Sequence, residues 1–182
     1  DKVILLFGAV RSYKGIDSAI DAFARVKKKV STAKLLIVGK LWEDWEPYAS
    51  LIKHHEIDKE VATHLNYIPS AEVHRYFVAA DLVILPYHHF DSQSGVGGTA
   101  IAFRKPMIVT RVGGLPELVI DPKAVVSERD PAALAEAIIT TFNDPARLKK
   151  MAKDADTVAK RISWDNIVKQ TIGIYKRLLE KT

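Results

Sequence analysis

The 182-residue chain contains no cysteine, which excludes disulfides, thiolate metal sites and a cysteine nucleophile. It also lacks any apolar run approaching the roughly 20 residues that a membrane-spanning helix needs. No leader resembling a signal peptide opens it, and it does not begin with Met. The opening residues DKVILLF already read as a strand. Such a start is expected of a segment cut from a longer protein, and a processed terminus would look the same. No repeat, low-complexity tract or linker interrupts the pattern, so residues 1–182 read as a single domain. No metal-ligand spacing or Ser–His–Asp arrangement stands out. His88 and His89 are adjacent, so on a strand they would face opposite sides, a poor geometry for a shared metal. The cytoplasm is the expected location.

Hydrophobic residues make up 48% of the chain, enough for an ordinary core. The formal net charge of +5 would suit nucleic acid, an anionic membrane surface or phosphorylated ligands. However, the Lys and Arg residues are spread along helices beside Asp and Glu. The densest run, RVKKKV (25–30), reads as a solvated helix face. No aromatic-interleaved basic patch is present, so no nucleic-acid partner is expected.

Short apolar runs alternate with helical patterns. VILLF (3–7), KLLIV (34–38), VATHL (61–65), LVILP (82–86), MIVT (107–110) and AVV (124–126) read as strands. Several are apolar on consecutive residues, as in a sheet covered on both faces. Ile16, Ile20, Phe23, Val26 and Val30 recur at helical spacing, which predicts an amphipathic helix over 15–30. Shorter helices are expected over 51–55, 73–79 and 97–103. After Asp130 the pattern turns helical: DPAALAEAIITTF opens with a capping Asp and Pro at the first helical position. Two further helices are predicted over 146–162 and 164–180, with Ser163 as the cap between them. The expected fold is α/β: a Rossmann-like, doubly wound, mainly parallel sheet of about six strands with C-terminal helices.

In open α/β sheets ligands bind at the carboxyl ends of strands, which singles out the loops at 8–15, 39–44, 66–70, 87–96 and 111–117. FGAVRSYKGID (7–17) places Gly8 and Gly15 around Arg11 and Lys14, where a strand turns into a helix. Glycine backbone, a positive helix end and two cations suit an anion; a solvated basic loop is the alternative. The fourth loop carries Asp91, Ser92, Gln93, Ser94, Gly95, Gly97 and Gly98 before another helix, a second anion-friendly helix start with side chains suited to hydroxyl groups. VGGLPE (112–117) adds a third glycine-rich turn. Glu117 is expected to cap a turn. Trp42, Trp45 and Trp164 are expected to pack.

These stretches together resemble the C-terminal, donor-binding domain of group 1 (family 4) retaining glycosyltransferases of the GT-B fold. The likeness rests on FGAVRSYKG, LLIVG, YIPSAEVHRYFVAADLVILPY, SGVGGTAIAFRKPMIVTRVGGLPELV, DPAALAEAI and the late SW…Y helix, in order over nearly the whole chain. The resemblance implies that Lys14 meets the diphosphate of a nucleotide diphosphate sugar and that Arg11 replaces the family's basic residue after the first Gly, where Ala9 stands. A spaced pair of Glu residues in the family, one facing the sugar and one the ribose, corresponds here to Asp91 and Thr99. Tyr67 lies in the family's base-contacting loop; strand-end packing is its other reading. Arg11, Lys14 and Asp91 are therefore the expected catalytic residues. The expected substrate-binding set is Gly8, Arg11, Lys14, Tyr67, Asp91, Ser92, Gln93, Ser94, Gly95 and Thr99. The resemblance further implies a preceding acceptor-binding domain in the parent enzyme, no metal or other cofactor, and an enzyme that is cytoplasmic or peripherally associated with the inner membrane face. Thr99 cannot act as a charged acceptor for a ribose diol, so a non-catalytic nucleotide-binding module is the alternative.

Overall fold

The structure is a computed structural model that describes residues 1–180. Six strands, β1 (Lys2–Phe7), β2 (Ala33–Val38), β3 (Val61–His64), β4 (Leu82–Leu85), β5 (Met107–Thr110) and β6 (Val125–Val126), form one sheet. Its order is β3-β2-β1-β4-β5-β6, and every pairing is parallel. The expected Rossmann-like architecture is therefore the one observed. The helices are α1 (Ile16–Lys29), α2 (Glu46–His54), α3 (Ser70–Ala79), α4 (Gly95–Ala102), α5 (Pro131–Asn143), α6 (Pro145–Arg161) and α7 (Trp164–Leu179).

The consecutive apolar residues of the central strands reflect burial on both faces. All four residues of β4 and of β5 are buried. Along β1 the alternation of side chains divides the core in two. Ile4 and Leu6 join a cluster with Ile20 and Phe23 of α1 and Ile138 and Phe142 of α5. Leu5 joins Phe77 of α3, Ile101 of α4 and Val158 of α6 on the other face. Helix starts follow their caps: Asp130, Asp144 and Ser163 accept from the backbone N–H of Ala133, Arg147 and Asn166. Helix α2 begins earlier than the apolar spacing indicates, because Pro47 occupies its first turn. Helix α7 buries no residue, and Ile167, Val168, Ile172, Ile174 and Tyr175 are exposed on it.

Strand order reverses between β1 and β4. Their carboxyl ends, which open into the 8–15 and 86–94 loops, diverge there and leave a crevice. The two loops are pinned together at Gly15, which is left-handed (φ 68°) at the start of α1. A Cβ at this position would stand 1.9 Å from the carbonyl oxygen of Pro86. Both partners are backbone, so neither can move without displacing a strand. Gly15→Ala should therefore lower unfolding free energy by about 3 kcal/mol or more, read as a fall in the urea midpoint.

Candidate functional site

Lys14 ends a single 3-10 turn (Ser12–Lys14) between β1 and α1. Its side chain runs inward and is only 6% exposed. The ammonium donates to the Tyr87 hydroxyl at 2.5 Å and lies 4.1 Å from the centre of that ring. Among the described residues no carboxylate pairs with it. Burial, and then the charge of Arg11, lower the Lys14 pKa to about 8, so the group is still mainly charged at neutral pH. An ammonium has three protons to donate, and a buried charge without a counter-charge is costly. An anion brought to Lys14 would relieve that cost.

Gly8 lies directly against this charge. A Cβ built there would sit 3.6 Å from the Lys14 ammonium nitrogen and 3.1 Å from Cγ2 of Val96 in α4. The loop after β1 and the start of α4 thus meet around one ammonium group. At that helix end Ser94 accepts from the Gly97 N–H at 3.2 Å. Gly95 and Gly98 are open, with no atom near the place of a Cβ. The first turn of α4 therefore leaves backbone open at Gly95 and Gly98, with the positive end of the helix beside a lysine.

The start of α1, also expected to be open to an anion, is covered from within. Gly15 and Ile16 are buried, and the His88 ring nitrogen Nε2 meets Ser18 Oγ at 3.0 Å and Asp17 Oδ1 at 3.2 Å. His88 and His89 lie in the loop after β4, not on a strand. His88 serves that closure, and His89 packs against Tyr13. Among the described residues no group of three His, Cys, Asp or Glu is placed to hold a metal ion.

Arg11 is exposed, and its guanidinium stacks 4.4 Å from the ring centre of Trp42. The Lys40 ammonium lies 5.3 Å from the same ring. Trp42 is 59% exposed, so the expectation that it packs is corrected: it stands between two cations on the surface. Trp164 is exposed as well, on a helix, α7, that buries none of its residues. Trp45 does pack, against Tyr48. Glu43 braces the loop: one oxygen accepts from the Ser12 N–H at 2.7 Å and the other from the Tyr48 hydroxyl at 2.5 Å. An open groove of about 470 Å³ runs along the carboxyl ends of β1, β2 and β3, lined by Gly8, Lys40, Trp42, Tyr67, Ile68 and Val73 among others. Tyr67 is 70% exposed on it, which removes the strand-end packing reading.

The remaining candidates lie along the loop before α4. Asp91 and Ser92 are exposed, and no hydrogen bond or ion pair is made by the Asp91 carboxylate among the described residues. Gln93 donates to Glu117 at 3.2 Å, so Glu117 steadies that loop. Ser94 is buried, and its hydroxyl also meets the Tyr87 hydroxyl at 3.2 Å. Thr99 donates to the Gly95 carbonyl at 2.9 Å, which leaves its oxygen free only as an acceptor. Tyr87, Trp42 and Glu43 escaped sequence reasoning as site residues. The signal was their position inside strand-end loops already singled out.

The fold agrees with what known proteins show. The model for the family Glycosyl transferases group 1 matches residues 1–158. The chain belongs to this family. It is 26% identical over 185 residues to an uncharacterized glycosyltransferase of Methanocaldococcus jannaschii, a match that covers 99% of this chain and 46% of that protein. The chain thus spans about half the length of the curated relatives it matches. The C-terminal domain of a glycosyl transferase group 1 family protein from Francisella tularensis has a similar fold, with a TM-score of 0.78 and 21% identity over 88% of this chain and 85% of that one. Anabaena HepE, solved in complex with UDP, superposes with a TM-score of 0.81 and 20% identity, covering 96% of this chain and 48% of that one.

In this group 1 family chain the lowered pKa of Lys14 has a measurable consequence. Below pH 8 both folded and unfolded chains carry the proton, and the burial penalty is fully present. Between about 8 and 10.5 the unfolded chain keeps a proton that the folded chain has lost, so stability rises with pH. Lys14→Met should be at least as stable as the wild type at pH 7. The wild type should gain roughly 2–3 kcal/mol relative to that variant by pH 10.5, measured by paired urea titrations.

Proposed function

We propose that the chain is the donor-binding domain of a retaining glycosyltransferase, which holds a nucleotide diphosphate sugar and moves its sugar to an acceptor. The observation that carries this reading is the buried Lys14 ammonium, without a counter-charge among the described residues, against Gly8 and beside the first turn of α4, where Gly95 and Gly98 are open. The diphosphate would complete that charge. The groove lined by Trp42 and Tyr67 would take the base, and Asp91 on the opposite loop would face the sugar. The HepE complex with UDP, a protein of the same fold, supports a nucleotide ligand.

In this reading catalysis is electrostatic. As the bond between the anomeric carbon and the diphosphate oxygen breaks, negative charge grows on the departing diphosphate. Lys14 and the α4 backbone N–H groups are already oriented toward it, and Arg11 adds an exposed cation at the rim. The cations take the place that a divalent metal fills in other phosphate sites, so no cofactor is invoked. Thr99 accepts only one kind of contact from a ribose hydroxyl, which makes ribose a weak anchor and gives the phosphates most of the affinity. A preceding acceptor-binding domain of the same protein is part of the proposal; the exposed apolar residues of α7 support it, since burial against further chain would stabilise them. Among the described residues no helix is long and apolar enough to cross a membrane. We place the parent enzyme in the cytoplasm, with peripheral contact at the inner membrane face as an extension of the same reading.

A non-catalytic nucleotide-binding module is the second reading, favoured by Thr99 and by the shortened acid Asp91. Calorimetry on the 182-residue chain tests both readings at their common step. UDP, GDP and ADP should bind with dissociation constants of about 1 mM for the best of them, roughly −4 kcal/mol. Lys14→Ala should weaken that binding ten- to a hundredfold, and Lys28→Ala on the solvated face of α1 should not. Sugar transfer by the parent enzyme then separates catalyst from module. Equal binding by wild type and Lys14→Ala would contradict the proposal.

A further inference from the structure

Tyr87 follows β4 and is 1% exposed. Its backbone carbonyl accepts from Thr110 Oγ1 of β5 at 2.7 Å. Its ring is held edge-on by Tyr13 at 5.8 Å and by Phe90 at 5.3 Å. The hydroxyl that this packing fixes stands in the middle of a polar chain. Lys14 donates to it at 2.5 Å. The same oxygen lies 3.2 Å from Ser94 Oγ, and Ser94 in turn accepts from the Gly97 N–H at 3.2 Å. Because the phenol accepts from the ammonium, its own proton is free to point at Ser94. The direction of donation then runs from Lys14 through Tyr87 to the cap of α4.

We propose that Tyr87 is a positioning residue that locks the Lys14 ammonium to the N-terminal turn of α4, so that the two bind a diphosphate as one unit. The proposal rests on the donor-binding reading above. Lysine is a flexible point charge, and a buried one without an acceptor would turn toward solvent or lose its proton. The groups around it leave that task to the phenol. Arg11 from the same loop opposes its charge, Tyr13 offers only a ring face at 5.3 Å, and α4 contributes Val96 on the Gly8 side. Burial pushes the Tyr87 pKa up, so the phenol stays neutral. A carboxylate in its place would neutralise the lysine and compete with the ligand. A neutral oxygen holds the ammonium in place and leaves its charge for the incoming anion.

Tyr87→Phe tests this, since it keeps the ring packing and removes one oxygen. Binding is measured calorimetrically with whichever of UDP, GDP or ADP binds the wild type best, from about pH 6.5, above the phosphate ionisation near 6, to pH 10, with Lys14→Met recording any titration that belongs to the probe. Wild-type affinity should fall with a midpoint near 8 as Lys14 loses its proton, and Lys14→Met should bind weakly with no such midpoint. Tyr87→Phe should bind roughly three- to tenfold more weakly, and its midpoint should move down by about 0.5–1 pH unit. Ser94→Ala, which breaks the link to α4 but leaves the phenol on Lys14, should weaken binding with little change of midpoint. A Tyr87→Phe midpoint equal to that of the wild type overturns the proposal, whether affinity is kept or lost, because loss of packing alone would not move it. Absence of any wild-type binding overturns the donor-binding reading and this proposal with it. Wild-type binding that depends on Lys14 but not on the Tyr87 oxygen overturns only this one.

Discussion

A positive charge buried with no negative partner among the described residues is the constraint around which the crevice is organised. Lys14 could have been left in water at the end of its 3-10 turn. It is instead drawn under Gly8, against the face of Tyr87, where its pKa falls to about 8. The surrounding structure resists the obvious relaxations. Gly15 fixes the loop against the Pro86 carbonyl, Glu43 holds the Ser12 N–H, and the phenol occupies one ammonium proton. The arrangement is stable enough to persist and electrostatically incomplete. A ligand that supplies negative charge gains what folding has left unsatisfied.

The same logic separates the two helix ends near the switch point. The start of α1 is sealed by His88, Asp17 and Ser18, whereas the start of α4 is capped by one serine and leaves Gly95 and Gly98 open. One end is therefore structural and the other available. Arg11 is also held differently from Lys14: stacked on Trp42 at the rim, it keeps its charge in water, where each contact counts for less. The site thus combines a fixed interior cation with a solvated outer one, in the open crevice of a chain that matches about half of its relatives' length.

Much of this was legible in the sequence, for physical reasons that can be named. Strands buried on both faces are apolar on consecutive residues, so β1, β4 and β5 were visible directly. The Asp130–Pro131 pair marked the start of α5 because cap and first-turn chemistry are local. Lys14 and the glycines in the first turn of α4 were singled out because strand-end loops in such sheets face ligands. What was not legible depends on distant partners. Tyr87 lies 73 positions from Lys14, and nothing in LPYHHF shows that its hydroxyl bridges two loops. Trp42 looked like core because tryptophan usually is, yet the exposed cations of Arg11 and Lys40 hold it at the surface. The sealing of α1 likewise comes from His88, a residue that local pattern could weigh only as a metal ligand.

The central claim is that one crevice, between the loop after β1 and the first turn of α4, holds the diphosphate. Amide chemical-shift mapping of the isotope-labelled chain, titrated with UDP and separately with inorganic pyrophosphate, tests it most directly. The account predicts that both ligands shift the amides of Gly8, Lys14, Gly95 and Val96, and that UDP alone also shifts Trp42 and Tyr67 along the groove. Shifts centred instead on the exposed basic face of α1, at Arg25, Lys28 and Lys29, would contradict it and reduce the site to general charge attraction.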